Sequence, residues 1–294
     1  MSIVVAAFGF GVVSMSVIAL AAVGFTMQFG ITNMINLAYG AVMIASAFVA
    51  YYIDNAGASI WLAAVGGTLF GAVFSFLINR FVYAPFQRRG TSHLGMVIVS
   101  LAVSLMIANI MLPIVGYFSV SYRERFSSLV RLGDIALTRN QIAIIFLAIG
   151  VMLAVHALLR YTRLGKAMRA TSANPTLARN CGIPTQRVID MVWFITGALC
   201  GLAGVVAALD SDSFTIETGA GFLITALAAA VLGGAGQPYG AMIGAVVIGL
   251  ITELSAAVWA PDYKQVVAFA ILVIVMVLRP QGLLAKRGAM AAAG

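Results

Sequence analysis

Nine apolar runs, at residues 3–29, 34–53, 61–82, 96–115, 142–159, 188–208, 222–232, 239–259 and 266–278, alternate with polar stretches along the chain. Most approach the roughly 20 residues of helix that cross the hydrocarbon of a bilayer. Backbone groups in lipid must bond within their own structure, so these runs predict helices rather than the strands of a barrel. The seventh and ninth runs are short, and the seventh fits a re-entrant segment as well as a span. The boundary between the first two is soft. The pattern predicts an all-α, polytopic transmembrane helical bundle of about eight or nine spans, forming one membrane domain over residues 1–294.

Composition agrees with this picture and narrows it. The chain is 62% hydrophobic and 9% charged, against about a quarter charged in soluble domains, so it lacks the residues to cover a water-facing surface. The net charge of +8 would suit a nucleic-acid partner, but the basic residues sit in connections between apolar runs. That placement is the signature of a cytoplasmic membrane face and argues against nucleic acid. Cys181 and Cys200 form neither a disulfide framework nor a metal-ligand spacing and read as small packing residues. No Lys or Arg precedes Arg80, so the apolar start lacks the basic flank of a cleaved signal peptide and is expected to remain as the first span.

Charge then sets orientation. Segments 80–93, 160–187 and 279–287 carry twelve of the seventeen Lys and Arg residues and no carboxylate. The other connections mix Arg123, Arg125, Arg131, Arg139 and Lys264 with Asp54, Glu124, Asp134, Asp210, Asp212, Glu217 and Asp262. The first set is expected in the cytoplasm and the second outside. Three spans precede Arg80, two separate the first and second basic segments, and four separate the second and third. The N-terminus is therefore expected outside and the C-terminus in the cytoplasm. Trp61, Trp259 and Tyr263 fall at predicted water boundaries, which favour amphipathic rings.

The longest basic connection, 160–187, has helical punctuation. Asn174 followed by Pro175 reads as an N-cap with proline at the first helical position. Gly182 supplies a left-handed stop, and Pro184 prevents continuation. A helix of about two turns over 175–181 is expected between them, with Thr185 as a cap for the next span and Asp190 suited to that helix's positive end. Framed by Arg163, Lys166, Arg169 and Arg179, such a helix would serve as a knob received in a partner's groove. A basic loop held at lipid headgroups accounts for the charges too, but not for the caps.

Within the membrane, a polar stretch from Gln28 to Gly40 interrupts the apolar pattern. Asn33 and Asn36 lie three apart and would share a face if helical. Together with Tyr39 and Gly40 they are candidates for a translocation path, the alternative being hydrogen bonding between helices at a turn. Gly233, Gly234 and Gly236 break a later run, and Gly240 and Gly244 have the spacing of close helix packing. Packing is the first reading for the glycines, with Gly233 and Gly234 retained as path candidates. Tyr39-Gly40-Ala41 recurs as Tyr239-Gly240-Ala241, a weak sign of an internal repeat. Glu253 is the one carboxylate within a predicted span away from its start, a functional candidate by default that could also reach water or Lys264. His156 is expected near the interface.

The pattern Thr162-Arg163-x-Gly165-x-Ala167-x-Arg169-Ala170, followed by Asn174, Ala178 and Gly182-Ile183, resembles the cytoplasmic signature of branched-chain amino-acid ABC permeases of the LivH/LivM type. The glycine-rich segment 229–236, Tyr263-Lys264 and the ending Arg279-Pro280-x-Gly282-Leu283 are similar to that family as well, in order over most of the chain, and closer to LivH. The resemblance implies a multi-pass bacterial inner-membrane permease that pairs with a second homologous permease. It implies that Arg163, Gly165, Arg169, Ala170, Asn174, Pro175, Ala178, Gly182 and Ile183 dock an ATP-binding cassette subunit, and that a periplasmic substrate-binding protein delivers the solute. The family's usual Ile-Asn-Phe-Ala-His-Gly-Glu is here Ile35-Asn36-Leu37-Ala38-Tyr39-Gly40-Ala41, so Tyr39 and Ala41 stand where the family has its two titratable groups.

The chain has no G-x-x-x-x-G-K-[ST] phosphate loop, so any ATP is expected to be used by a partner, with no cofactor bound by this chain. Import of branched-chain or related small amino acids is the leading reading. Urea, amides or small organic acids are close variants. An ion-coupled secondary transporter would need buried carboxylates or histidines, which only Glu253 approaches. No nucleophile, base and acid cluster or metal-ligand spacing points to an enzyme.

Overall fold

The structure, a computed structural model, describes residues 2–123, 129–132, 135–211, 213–258, 263–278 and 282. All nine apolar runs form the bodies of helices. In chain order these are α1 (Ser2–Thr32), α2 (Tyr39–Asn55), α3 (Ile60–Ile78), α5 (His93–Val115), α6 (Arg139–Tyr161), α9 (Thr185–Asp210), α10 (Thr218–Gly233), α11 (Pro238–Val258) and α12 (Lys264–Leu278). A π-helical turn, Asn79–Tyr83, and a short α4, Ala84–Arg88, prolong α3, while α7 (Arg163–Ala173) and α8 (Pro175–Asn180) fill the long basic connection. Among the described residues six helical stretches are long and apolar enough to cross a membrane. By length α2, α10 and α12, at 17, 16 and 15 residues, are short of the roughly 20 that a full crossing needs.

Outside the connection 160–187, three features depart from the sequence reading. The second run begins its helix at Tyr39 rather than near residue 34, because Asn33 adopts a left-handed backbone with φ 49° and ends α1. Short polar residues tolerate that conformation better than most. A two-stranded antiparallel ladder, β1 (Leu129–Leu132) with β2 (Ile135–Thr138), lies between α5 and α6 and pairs Leu129 with Thr138. Two residues, Gly133-Asp134, separate its strands in sequence, which is a hairpin spacing. The π-helical turn is the third departure. Trp259 and all of the segment 279–287 except Gly282 lie outside the described residues.

Helices α1 and α9 form the centre: 67% and 72% of their most apolar windows are buried, against 17% and 22% in α5 and α6. Lipid offers no hydrophobic drive between helices, so close backbone approach must hold them. Gly67 and Gly71 of α3 meet Gly197 and Gly201 of α9, two four-residue spacings set face to face. A methyl on Gly71 would lie 2.7 Å from the Gly197 carbonyl oxygen, and one on Gly201 would lie 2.8 Å from that of Gly67. Ser46 of α2 packs into the same junction and donates to the Val42 carbonyl.

The two ends of the bundle differ in charge. At one end Arg80 lies 3.7 Å from Asp190 at the start of α9, and Ser172 of α7 donates to the Gly30 carbonyl of α1, so segments 80–93 and 160–187 share that end. At the other, the Arg123 backbone N–H donates to Asp54 at 2.9 Å and Gln141 donates to Asp210 at 3.2 Å. Replacing Gly71 by Leu should force α3 from α9 and cost about 1–3 kcal/mol, the usual penalty of overpacking. Thermal unfolding of the detergent-purified protein checks this, and an unchanged transition temperature would refute the close junction.

Candidate functional site

The connection 160–187 holds two helices where the sequence suggested one. Thr162 caps α7 by accepting from the Gly165 N–H at 3.0 Å, and its hydroxyl donates to the Leu158 carbonyl at 2.6 Å. Gly165, Met168 and Thr171 are buried, whereas Arg163, Lys166 and Arg169 are exposed. The apolar spacing Leu164, Met168, Thr171 behind a threonine cap was the available signal for this helix. The Arg169 guanidinium donates to the Leu159 carbonyl, one of the orphan acceptors at the end of α6. Gly165 is required by close approach: a methyl there would strike the Leu158 and Leu159 carbonyl oxygens.

The second helix follows the expected punctuation. Asn174 accepts from the Leu177 N–H at 2.9 Å, and Pro175 occupies the first turn. At the far end Gly182 has φ 83°. Its N–H donates to Arg179 and that of Ile183 donates to Ala178, both at 3.0 Å, the paired bonds of a Schellman stop. The helix ends at Asn180, one residue short of the expectation, with Cys181 as C-cap. Thr185 does not cap α9; it is the first helical residue and accepts from Arg179 Nε at 3.4 Å. Ala170 is half-buried, Ala178 is buried, and Leu177 projects from α8 with 60% of its surface exposed.

Asn33 and Asn36 do not share a helix face, since both lie in the break between α1 and α2. Asn33 is exposed. Asn36 is buried and its Oδ1 accepts from the Tyr83 hydroxyl at 3.0 Å and from the Ala38 N–H at 3.1 Å. Tyr39 is buried with its hydroxyl on the Ala21 carbonyl at 3.0 Å. Gly40 abuts Gly219 and Leu223 of α10. Gly233 closes α10 against Gly240 of α11, and Gly234 turns the chain with φ 106°. His156 lies 3.0 Å from the Tyr239 hydroxyl at the basic end.

Glu253 stands apart from that group, on the wall of a cavity of about 530 Å³ at the opposite end. Its Oε1 accepts from Lys264 Nζ and from the Ser14 hydroxyl, each at 2.6 Å. Lys264 is drawn from the next helix, the partner the sequence allowed. Ser14, fourteen positions before the polar stretch that opens at Gln28, carried no such signal.

A family model described as "branched-chain amino acid transport system / permease component" matches residues 7–276. The chain belongs to this family. LivH of Escherichia coli K12, named a high-affinity branched-chain amino acid transport system permease protein, is 32% identical, with 94% of each chain covered. BraD of Pseudomonas aeruginosa, a permease protein of the same description, is 29% identical with 92% of each covered. Among solved structures, a metal-chelate type ABC transporter in an inward-facing conformation aligns over 92% of this chain and 87% of its own, with a TM-score of 0.57 at 17% identity. That likeness shows an ABC transporter permease fold. The branched-chain permease match includes α7, α8 and Glu253. Replacing Gly165 by Ala should lift α7 from the end of α6 and raise trypsin cleavage at Arg163 and Lys166 several-fold in membranes with that face accessible. Cleavage at the original rate would contradict the close approach.

Proposed function

We propose that this chain is the membrane-spanning permease subunit of an ATP-driven importer of branched-chain or related small amino acids, set in the bacterial inner membrane. The observation that supports it most is the α7–α8 element, doubly capped, seated against α6 and presenting Leu177 and a basic ridge. In this reading the basic end is cytoplasmic, the N-terminus is outside and the C-terminus inside. Arg163, Leu177 and Arg179 face an ATP-binding cassette subunit, which carries out the hydrolysis. Gly165, Arg169, Ala170, Asn174, Pro175, Ala178, Gly182 and Ile183 hold the element's shape. A second homologous permease completes the membrane unit, and a periplasmic binding protein delivers the solute.

The mechanism follows from rigidity. A partner that changes shape with ATP must grip one tilt of this element better than another, because a ligand with equal affinity for both states shifts neither. The element answers as a body, since Arg169 ties α7 to α6 and the Schellman stop sets its exit into α9. The break at residues 33–38, with Asn33, Asn36, Tyr39 and Gly40, and the turn at Gly233 and Gly234 are the places where the helical walls can change angle along the path.

Purification of the tagged chain in mild detergent, with mass spectrometry of what accompanies it, is the direct test. An ATP-binding subunit and a second permease are expected; uptake by the chain alone without ATP would establish a secondary transporter instead. Replacing the exposed Leu177 by Asp should leave folding within about 0.5 kcal/mol and weaken the ATP-binding subunit's association about thirtyfold, as for an interface hot spot. Association at wild-type strength would sink this role for α8.

A further inference from the structure

We infer that the cavity between α1, α9, α10, α11 and α12 is a binding site for a zwitterionic amino acid with an aliphatic side chain, which enters by exchanging partners with the Glu253–Lys264 ion pair. The inference rests on the importer reading and assigns it a substrate site within a single permease chain. The cavity holds about 530 Å³, ample for one amino acid with its water. Its wall has two characters. Glu253, Lys264 and Ser14 supply charge and hydrogen bonds, while Val17, Ile18 and Phe222 offer an apolar surface suited to a branched chain.

The charges dictate the ligand. Glu253 has only 11% of its side chain exposed and Lys264 has 40%, and they meet at 2.6 Å. A carboxylate as buried as Glu253 is costly to leave alone, and a half-exposed ammonium like that of Lys264 less so. A ligand carrying only a carboxylate could take Lys264 but would strand Glu253; one carrying only an ammonium would do the reverse. A zwitterion gives its carboxylate to Lys264 and its ammonium to Glu253, so two paired charges become four and none is stranded. No proton is transferred and no bond is made or broken. Asp210 borders the same cavity and is engaged by Gln141 at 3.2 Å, which leaves Glu253 as the carboxylate that exchanges its partner. Selectivity against singly charged analogues thus arises from the unpaired group each leaves behind, the mechanism that gives polar sites their strongest discrimination.

The test is direct binding of labelled leucine to the assembled transporter in nanodiscs without its binding protein, read by scintillation proximity. Leucine should bind saturably, and 4-methylpentanoate and 3-methylbutylamine should compete at least about tenfold less well. In Lys264→Gln the amine should compete as well as leucine does, and in Glu253→Gln the acid should. An improved relative affinity for one analogue does not arise from misfolding. No saturable leucine binding, or variants that rank the three ligands as the wild type does, would overturn the inference. Parallel uptake assays with ATP and the binding protein separate the two failures: uptake that persists leaves the importer reading standing, whereas a wild-type transporter without ATP-dependent uptake removes that reading itself.

Discussion

A peptide group in hydrocarbon has no water to bond, so each interruption of a helix there must bring its own partners. The break between α1 and α2 meets this demand with side chains from several places. Asn36 accepts from Ala38, and Ser100 of α5 accepts from the Leu37 N–H at 3.1 Å. Tyr83, in the π-helical turn, donates to the same Asn36 oxygen and lies against the buried Trp193, ring centroids 5.1 Å apart. Removing Asn36 would take the acceptor from both the Ala38 N–H and the Tyr83 hydroxyl, and removing Ser100 would take that of the Leu37 N–H. The break and the π-helical turn therefore depend on each other, and both irregularities sit where α2, α5 and α9 converge.

The same solvent governs how the helices hold together. With lipid as apolar as leucine, association depends on fit and on close backbone contact. The glycine quartet between α3 and α9, and the Gly233–Gly240 contact between α10 and α11, bring helix backbones nearer than side chains would allow. Helices α5 and α6 lack such seams and leave broad apolar faces uncovered, as lipid or a neighbouring subunit permits. Burial is concentrated in α1 and α9 for this reason.

The sequence made the bundle legible because span length and charge asymmetry are coarse, cumulative signals. It made α8 legible because Asn174, Pro175 and Gly182 each carry a local conformational demand that tertiary contacts do not change. Helix α7 is less legible because its buried stripe, Gly165, Met168 and Thr171, is narrow and lies among the basic residues Arg163, Lys166 and Arg169. Spacing alone does not pair Asn33 with Asn36, because the left-handed backbone of Asn33 ends α1 before a shared helical face can form. Ser14 joined Glu253 only through the meeting of α1 and α11, a contact across 239 positions of sequence that no local pattern encodes. The glycine spacings in α3 and α9 were readable, but their meeting was a matter of topology.

Two helices connect the candidate sites directly. Helix α9 begins at Thr185, beside the end of α8, and runs without interruption to Asp210 on the cavity wall. Its 26 residues span about 39 Å at the usual helical rise. Helix α1 runs the opposite way, from Ser14 beside Glu253 to Gly30, where the Ser172 hydroxyl of α7 bonds its carbonyl. The two pack against each other through the most buried part of the bundle. A rigid tilt imposed on α9 at its basic end must then displace its far end relative to α11 and α12, and α1 is gripped at both places. Opposed rigid helices are thus the means by which a force on α7 and α8 would reach the Glu253–Lys264 pair without any groups relaying it between.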